Sequence, residues 1–296
     1  MVTTNEQLAG WTKPSSDTEQ EKQERTERMV REAVTSHPGF AGCSLSVYAK
    51  GSYPNNTNVQ SDSDVDIGVQ CHDVQYWEKA STSSYSGGTP YTGPWTPDKL
   101  RTELVSALRA KFPNQVDTSG STAIVVHSSS SRVDADVVPC FDYRYYLGSG
   151  HRDGAKTFTT SGASLVNYPV QHLQEGRAKN NATSSYFKQA VRVLKRVENL
   201  MLERSIHRAV PSYFVECLVF NCPNHILMSS TWIETVKGIL VHLWGGLEGM
   251  EPTQESERWL EVNRCKFLFT NEQKWSRVDG RDFANAAWNY LGLADA

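Results

Sequence analysis

Residues 51–67 read GSYPNNTNVQSDSDVDI. Gly51 and Ser52 open a turn, the Asn-rich run continues it, and DVDIGVQC (64–71) takes up the alternation of a strand that SLSVYAK (44–50) had begun. The unit is strand, turn, strand. Strand side chains point to opposite faces in turn, so Asp64 and Asp66 share one face while Val65 and Ile67 take the other, toward a core. Glycine in the turn lets backbone amides come close to an anion, and hard carboxylate oxygens suit a cation such as Mg²⁺ that also binds phosphates.

Working outward, a second acidic strand lies in RVDADVVP (132–139), with Asp134 and Asp136 on one face and Val133, Ala135 and Val137 on the other. Read from the residues alone, either acid can complete a three-carboxylate set. Like charges so close repel and raise one another's proton affinity unless a cation neutralises them, so two Mg²⁺ ions are expected as part of the site. A third carboxylate helps to deprotonate an attacking hydroxyl while two metals stabilise the attacking and leaving oxygens of an in-line displacement. That is phosphoryl-transfer chemistry.

The remaining segments supply a frame for these strands. Residues 16–36 carry sparse apolar positions (Met29, Val30, Ala33) among many charges, which predicts a helix lying on the body and ended by Pro38 and Gly39. The Ser, Thr, Gly and Pro content of 81–97 predicts a loop, and 98–112 a short amphipathic helix capped by Asp98. TAIVVH and RVDADVVP flank SSSS, which predicts two strands and a turn. From about Thr183 onward the period is helical, through SYFKQAVRVLKRVENLMLER, PSYFVECLVFNC, TWIETVKGILVHLW and DFANAAWNYLGL. The expected fold is α+β and two-lobed: a mixed-sheet core over 1–165 with its N-terminal helix, and a mainly helical lobe over 166–296.

Composition narrows the function classes. A formal charge of -3 argues against a surface evolved to hold long DNA or RNA. No 18-residue apolar run crosses a bilayer, and the N-terminus lacks the basic start and apolar centre of a secretory signal, so a cytoplasmic protein is expected. The six cysteines (Cys43, Cys71, Cys140, Cys217, Cys222, Cys265) show no CxxC pair, which predicts buried free thiols rather than a disulfide frame or zinc knuckle.

The order GS, then DSDVDI, then DADVVP, with a helical half behind it, resembles the polymerase-beta nucleotidyltransferase superfamily. Within it, GSYPNNTNVQSDSDVDI, VDADVVPCFDYR, NYPVQH and PSYFVECL are similar to the bacterial cGAS/DncV-like nucleotidyltransferases, nearest the uridylate-using group. The resemblance implies a cyclic di- or trinucleotide synthase of antiphage defence, fed by ATP and by UTP or another nucleoside triphosphate. A regulatory protein partner is compatible with it, and no zinc-ribbon insertion for long DNA is present. It implies Asp64, Asp66 and Asp136 as the metal-binding acids and Gly51-Ser52 as the phosphate turn. It further implies that Lys195 and Ser212 touch phosphate and that Tyr213 lies near a base, roles that a compact ammonium and an aromatic face can fill. By residue pattern alone, Lys188, Arg192, Lys195 and Arg196 read as a solvated helix face, and Tyr213 equally as a core residue.

Overall fold

The computed structural model describes residues 3–59 and 64–294. In chain order its elements are α1 (Asn5–Gly10), α2 (Asp17–Thr35), β1 (Leu45–Lys50), α3 (Ser52–Asn55), β2 (Val65–Lys79), α4 (Pro97–Lys111), β3 (Val116–Asp117), β4 (Ile124–Val126), β5 (Ala135–Tyr146), β6 (His151–Phe158) and β7 (Ser164–Asn167). Helices follow: α5 (Pro169–Ala182), α6 (Tyr186–Glu203), α7 (Ser212–Phe220), α8 (Asn224–Leu227), α9 (Trp232–Gly246) and α10 (Arg277–Leu291). These elements form two compact units. One comprises Ser16–Pro54 and Gln60–Val170, the other Met1–Ser15, Asn55–Val59 and Gln171–Ala296.

The first unit is built on a mixed sheet in the order β1-β2-β5-β4-β3, with β6 added to β5 and β7 to β6. Among the described residues only the β2–β5 pair is parallel, and α4 lies within the crossover between them. The odd-numbered residues Val65, Ile67 and Val69 of β2, with Ala135 and Val137 of β5, are buried against Val30 and Val34 of α2 and Leu100, Leu104 and Leu108 of α4. The opposite face of these strands carries the acids. Both helices start as the physics of orphan amides requires: Ser16 and Glu19 form a reciprocal capping box on α2, and Thr96 accepts from the Lys99 amide on α4. The expected cap at Asp98 is thus corrected to Thr96. Pro97 is the first helical residue and Asp98 lies in the first turn, where its charge complements the helix dipole.

The sheet is also larger than alternation predicted. β2 continues eight residues past Cys71 to Lys79 because a bulge between Cys71 and Gln75 absorbs the register shift, and β5 continues to Tyr146.

In the second unit α6 is central. Phe187, Val191, Leu194, Val197 and Met201 recur at helical spacing and are fully buried against Phe214, Leu218, Ile239, Leu243, Phe283 and Ala287. Leu8 of α1, an element with no sequence expectation, closes the same core. Among the described residues no helix is long and apolar enough to cross a membrane.

Candidate active site

The parallel register sets Asp66 of β2 directly beside Asp136 of β5, and Lys50 of β1 beside Asp66 on the other flank. One row across three strands therefore reads Lys50, Asp66, Asp136. The Lys50 Nζ stands 3.7 Å from Asp66 Oδ1. Asp64 immediately precedes β2 and is exposed. Burial, followed by the charges of Asp136, Asp134 and Asp66, pushes the Asp64 carboxyl above its ordinary range. Burial and then Asp66 do the same to Asp136, against an opposing pull from Lys50. Asp66 and Asp136 are thus register neighbours on one face of the sheet, and Asp64, just before β2, feels the charge of both.

Asp134, the alternative that the residues left open, is engaged elsewhere. Its Oδ1 accepts the Ser128 amide at 2.7 Å and lies 3.6 Å from His127 Nδ1, tying down the turn before β5. Asp136 has no such hydrogen bond among the described residues and shares the face of Asp66.

Gly51 has φ of +75°, and a Cβ built there would sit 2.5 Å from Asp66 Oδ2. The glycine is required twice over, by its left-handed backbone and by the carboxylate packed against it. Ser52 then begins the helical turn Ser52–Asn55. Gly51→Ala should cost about 1–2 kcal/mol for the strained conformation, read as a lower urea midpoint. Moving Asp66 should lower pyrophosphate release by roughly a hundredfold, the usual penalty for displacing a reacting geometry by about an ångström.

The same face carries a polar chain that the sequence reading did not pick out. Tyr48 lies across Gly68, whose missing side chain makes room for the ring, and donates to Gln70 Oε1 at 2.7 Å. Gln70 donates to Asp142 Oδ1 at 2.6 Å, and His72 Nδ1 meets that oxygen at 2.8 Å. The signal was present as the even-numbered continuation of the Asp64–Asp66 face.

Lys195, Ser212 and Tyr213 belong to the second unit. The Lys195 ammonium is buried, 3.3 Å from Glu216 Oε2 and 3.4 Å from Thr57 Oγ1. Burial alone would raise the Glu216 carboxyl, but Lys195, His172 and the Thr57 hydroxyl hold it down to about 2. Thr57 donates at 2.8 Å and His172 Nε2 lies 2.9 Å away, so Glu216 is the hub of a buried polar cluster. Ser212 is exposed as the first residue of α7, one helical turn before Glu216. Tyr213 is half-buried, donating to Glu261 at 3.1 Å.

The solvated-face reading of this basic helix does not hold. Arg192 is buried and donates to the carbonyls of Thr12 (2.6 Å) and Asn56 (2.5 Å), and Arg196 donates to the Trp11 carbonyl. Arg192, Lys195 and Arg196 face inward because a carbonyl or carboxylate meets each of them there.

Comparison with known proteins agrees with this architecture. Residues 174–292 match the model of the cGAS/DncV-like nucleotidyltransferase C-terminal helical domain. The chain is 34% identical to a cyclic dipyrimidine nucleotide synthase of Cecembia lonarensis, covering 97% of this chain and 98% of the relative. A synthase of the same description from Legionella pneumophila is 33% identical, with 95% of each chain covered. Among solved structures, the cyclic dinucleotide synthase of Elizabethkingia meningoseptica with GTP and Apcpp superposes with a TM-score of 0.81 at 29% identity, covering 98% of this chain and 99% of the other. The chain belongs to the cGAS/DncV-like nucleotidyltransferases and is an enzyme of that class.

Proposed function

We propose that this nucleotidyltransferase, a cyclic nucleotide synthase by family, condenses two nucleoside triphosphates into a cyclic dinucleotide with uridylate as one component, releasing pyrophosphate at each bond. The observation that carries the reading is the register of Asp66 beside Asp136, with Gly51 packed against Asp66. An all-oxygen donor set of three carboxylates fits Mg²⁺, and Asp64, Asp66 and Asp136 would hold it. When bound, such ions neutralise the charge of the phosphate oxygens and the departing pyrophosphate. The chain's own groups do the rest. The Gly51-Ser52 turn supplies donors to phosphate oxygens, Asp136 receives the proton of the attacking ribose hydroxyl, and Lys50 limits the repulsion across the acidic row. Ser212, at the start of α7, offers its hydroxyl to phosphate, while Tyr213 offers a face to a base. Lys195 would contact phosphate by sharing its ammonium with Glu216. The pyrimidine preference is supported by the relatives from C. lonarensis and L. pneumophila.

The physiological reading is a cytoplasmic signal-producing enzyme of antiphage defence, open to control by a partner protein. Purified protein given Mg²⁺ with ATP, GTP, CTP and UTP, one labelled at a time, should yield a phosphatase-resistant product. Mass spectrometry should identify it as a cyclic dinucleotide containing uridine. A linear oligomer, or transfer onto RNA or protein alone, would refute the cyclising assignment.

A further inference from the structure

The bulge in β2 assembles a second group of metal-ligating atoms. Cys71 is the last residue before the register of β2 shifts against β5. Cys43 arrives from the segment before β1. The β1–β2 register pairs Leu45 with Cys71, and the His72 amide donates to the Ser44 carbonyl at 2.9 Å, so Cys43 stands diagonally across from Cys71. The two sulfurs lie 3.6 Å apart. Asp73, whose Oδ2 is held by the Ser44 amide at 3.2 Å, completes the group, and its three ligand atoms all lie within 4.8 Å of one another.

We propose that Cys43, Cys71 and Asp73 form a binding site for a soft divalent cation of the zinc type, separate from the all-oxygen acidic row. Two Zn–S bonds of about 2.3 Å at a tetrahedral angle place sulfurs about 3.8 Å apart, close to the separation found here. Thiolates select soft metals, whereas the carboxylate row suits hard ones, so the two sites divide the available cations by chemistry. Cys71 is fully buried, Cys43 half-buried and Asp73 exposed, which gives an approach from the Asp73 side and a fourth position for water. Thiolate ligation displaces the thiol protons, so affinity rises with pH. The ion would clamp the start of β1 onto the strand that carries Asp66.

The test uses the full chain, reduced and stripped of metal with a chelator, titrated with Co²⁺ as the probe and then with Zn²⁺. One Co²⁺ per chain should bind with a thiolate-to-metal charge-transfer band, and Zn²⁺ should displace it. The band should persist in the Asp64→Asn/Asp66→Asn double variant and in Cys265→Ser, and vanish in Cys43→Ser and Cys71→Ser. Asp73→Asn leaves both sulfurs in place and should weaken binding by at least about tenfold. Zinc should also raise the melting temperature of the wild type and of the double variant, but not of the cysteine variants. Absence of the charge-transfer band, its loss in the Asp64/Asp66 variant, its survival in Cys43→Ser, or a Cys43–Cys71 disulfide in anaerobically purified protein would each overturn the assignment.

Discussion

Asparagine in place of Asp66 or Asp136 should leave a folded protein that no longer synthesises product. Each exchange removes charge with almost no change of shape, and the loss of cation-mediated charge stabilisation worth several kcal/mol translates to on the order of a thousandfold or more in rate. Stability should move the other way. Asp64 and Asp136 both have carboxyls raised in the folded state. A raised carboxyl favours folding while protonated, and that stabilisation disappears as pH climbs from the ordinary carboxylate value through the raised one. At neutral pH the acidic row is therefore a net strain. Asp136→Asn should melt at the same temperature as the wild type or higher, and Mg²⁺ with a nucleotide should stabilise the wild type alone. Thermal melts paired with pyrophosphate release settle both points. A folded Asp66→Asn enzyme retaining a tenth of its activity would sink the assignment.

The largest stability effect is expected at the buried cluster around Glu216. Lys195→Met removes the one ammonium bonded to a carboxylate that is itself fully buried, and breaking such a pair costs about 3–5 kcal/mol. Glu216 has its carboxyl depressed to about 2, so the stability it contributes is complete above the ordinary value near 4.5 and fades as pH falls toward 2. Wild-type protein should lose stability across that acidic window, and Glu216→Gln should flatten the loss. Removing both charges together, as Lys195→Met with Glu216→Leu, should recover much of the single-variant deficit, because the ammonium and its carboxylate leave as a pair. Urea midpoints measured from pH 2 to 7 test the pair. A Lys195→Met protein within about 0.5 kcal/mol of wild type, the scale of an ordinary surface change, would remove Glu216 from its role as hub.

Much of this was legible in the chain because the informative signals are local. Alternation in DVDIGVQC and RVDADVVP put the acids opposite a hydrophobic face, and the structure shows Val65, Ile67, Ala135 and Val137 buried where that pattern requires. What escaped depends on partners distant in sequence. The HDVQYWEK extension of β2 looks too polar for a strand until β5 and the bulge after Cys71 are seen to carry it. Arg192 resembles a solvated charge until the carbonyls of Thr12 and Asn56 are brought to it. Asp134 and Asp136 share a face by spacing, and it takes the Ser128 amide on Asp134 and the register of Asp136 beside Asp66 to distinguish them. Cys43 and Cys71 carry no motif because their meeting depends on how two strands pair.

The parallel pairing of β2 with β5 also governs when the enzyme can come into being. Antiparallel neighbours can zip from a tight hairpin, but parallel ones wait for the whole intervening crossover, α4 included. During synthesis at about 5–20 residues per second, a nascent chain that already displays Asp64 and Asp66 has no Asp136 to complete them. A ribosome stalled within that interval would release a fragment in which the acidic row is never assembled.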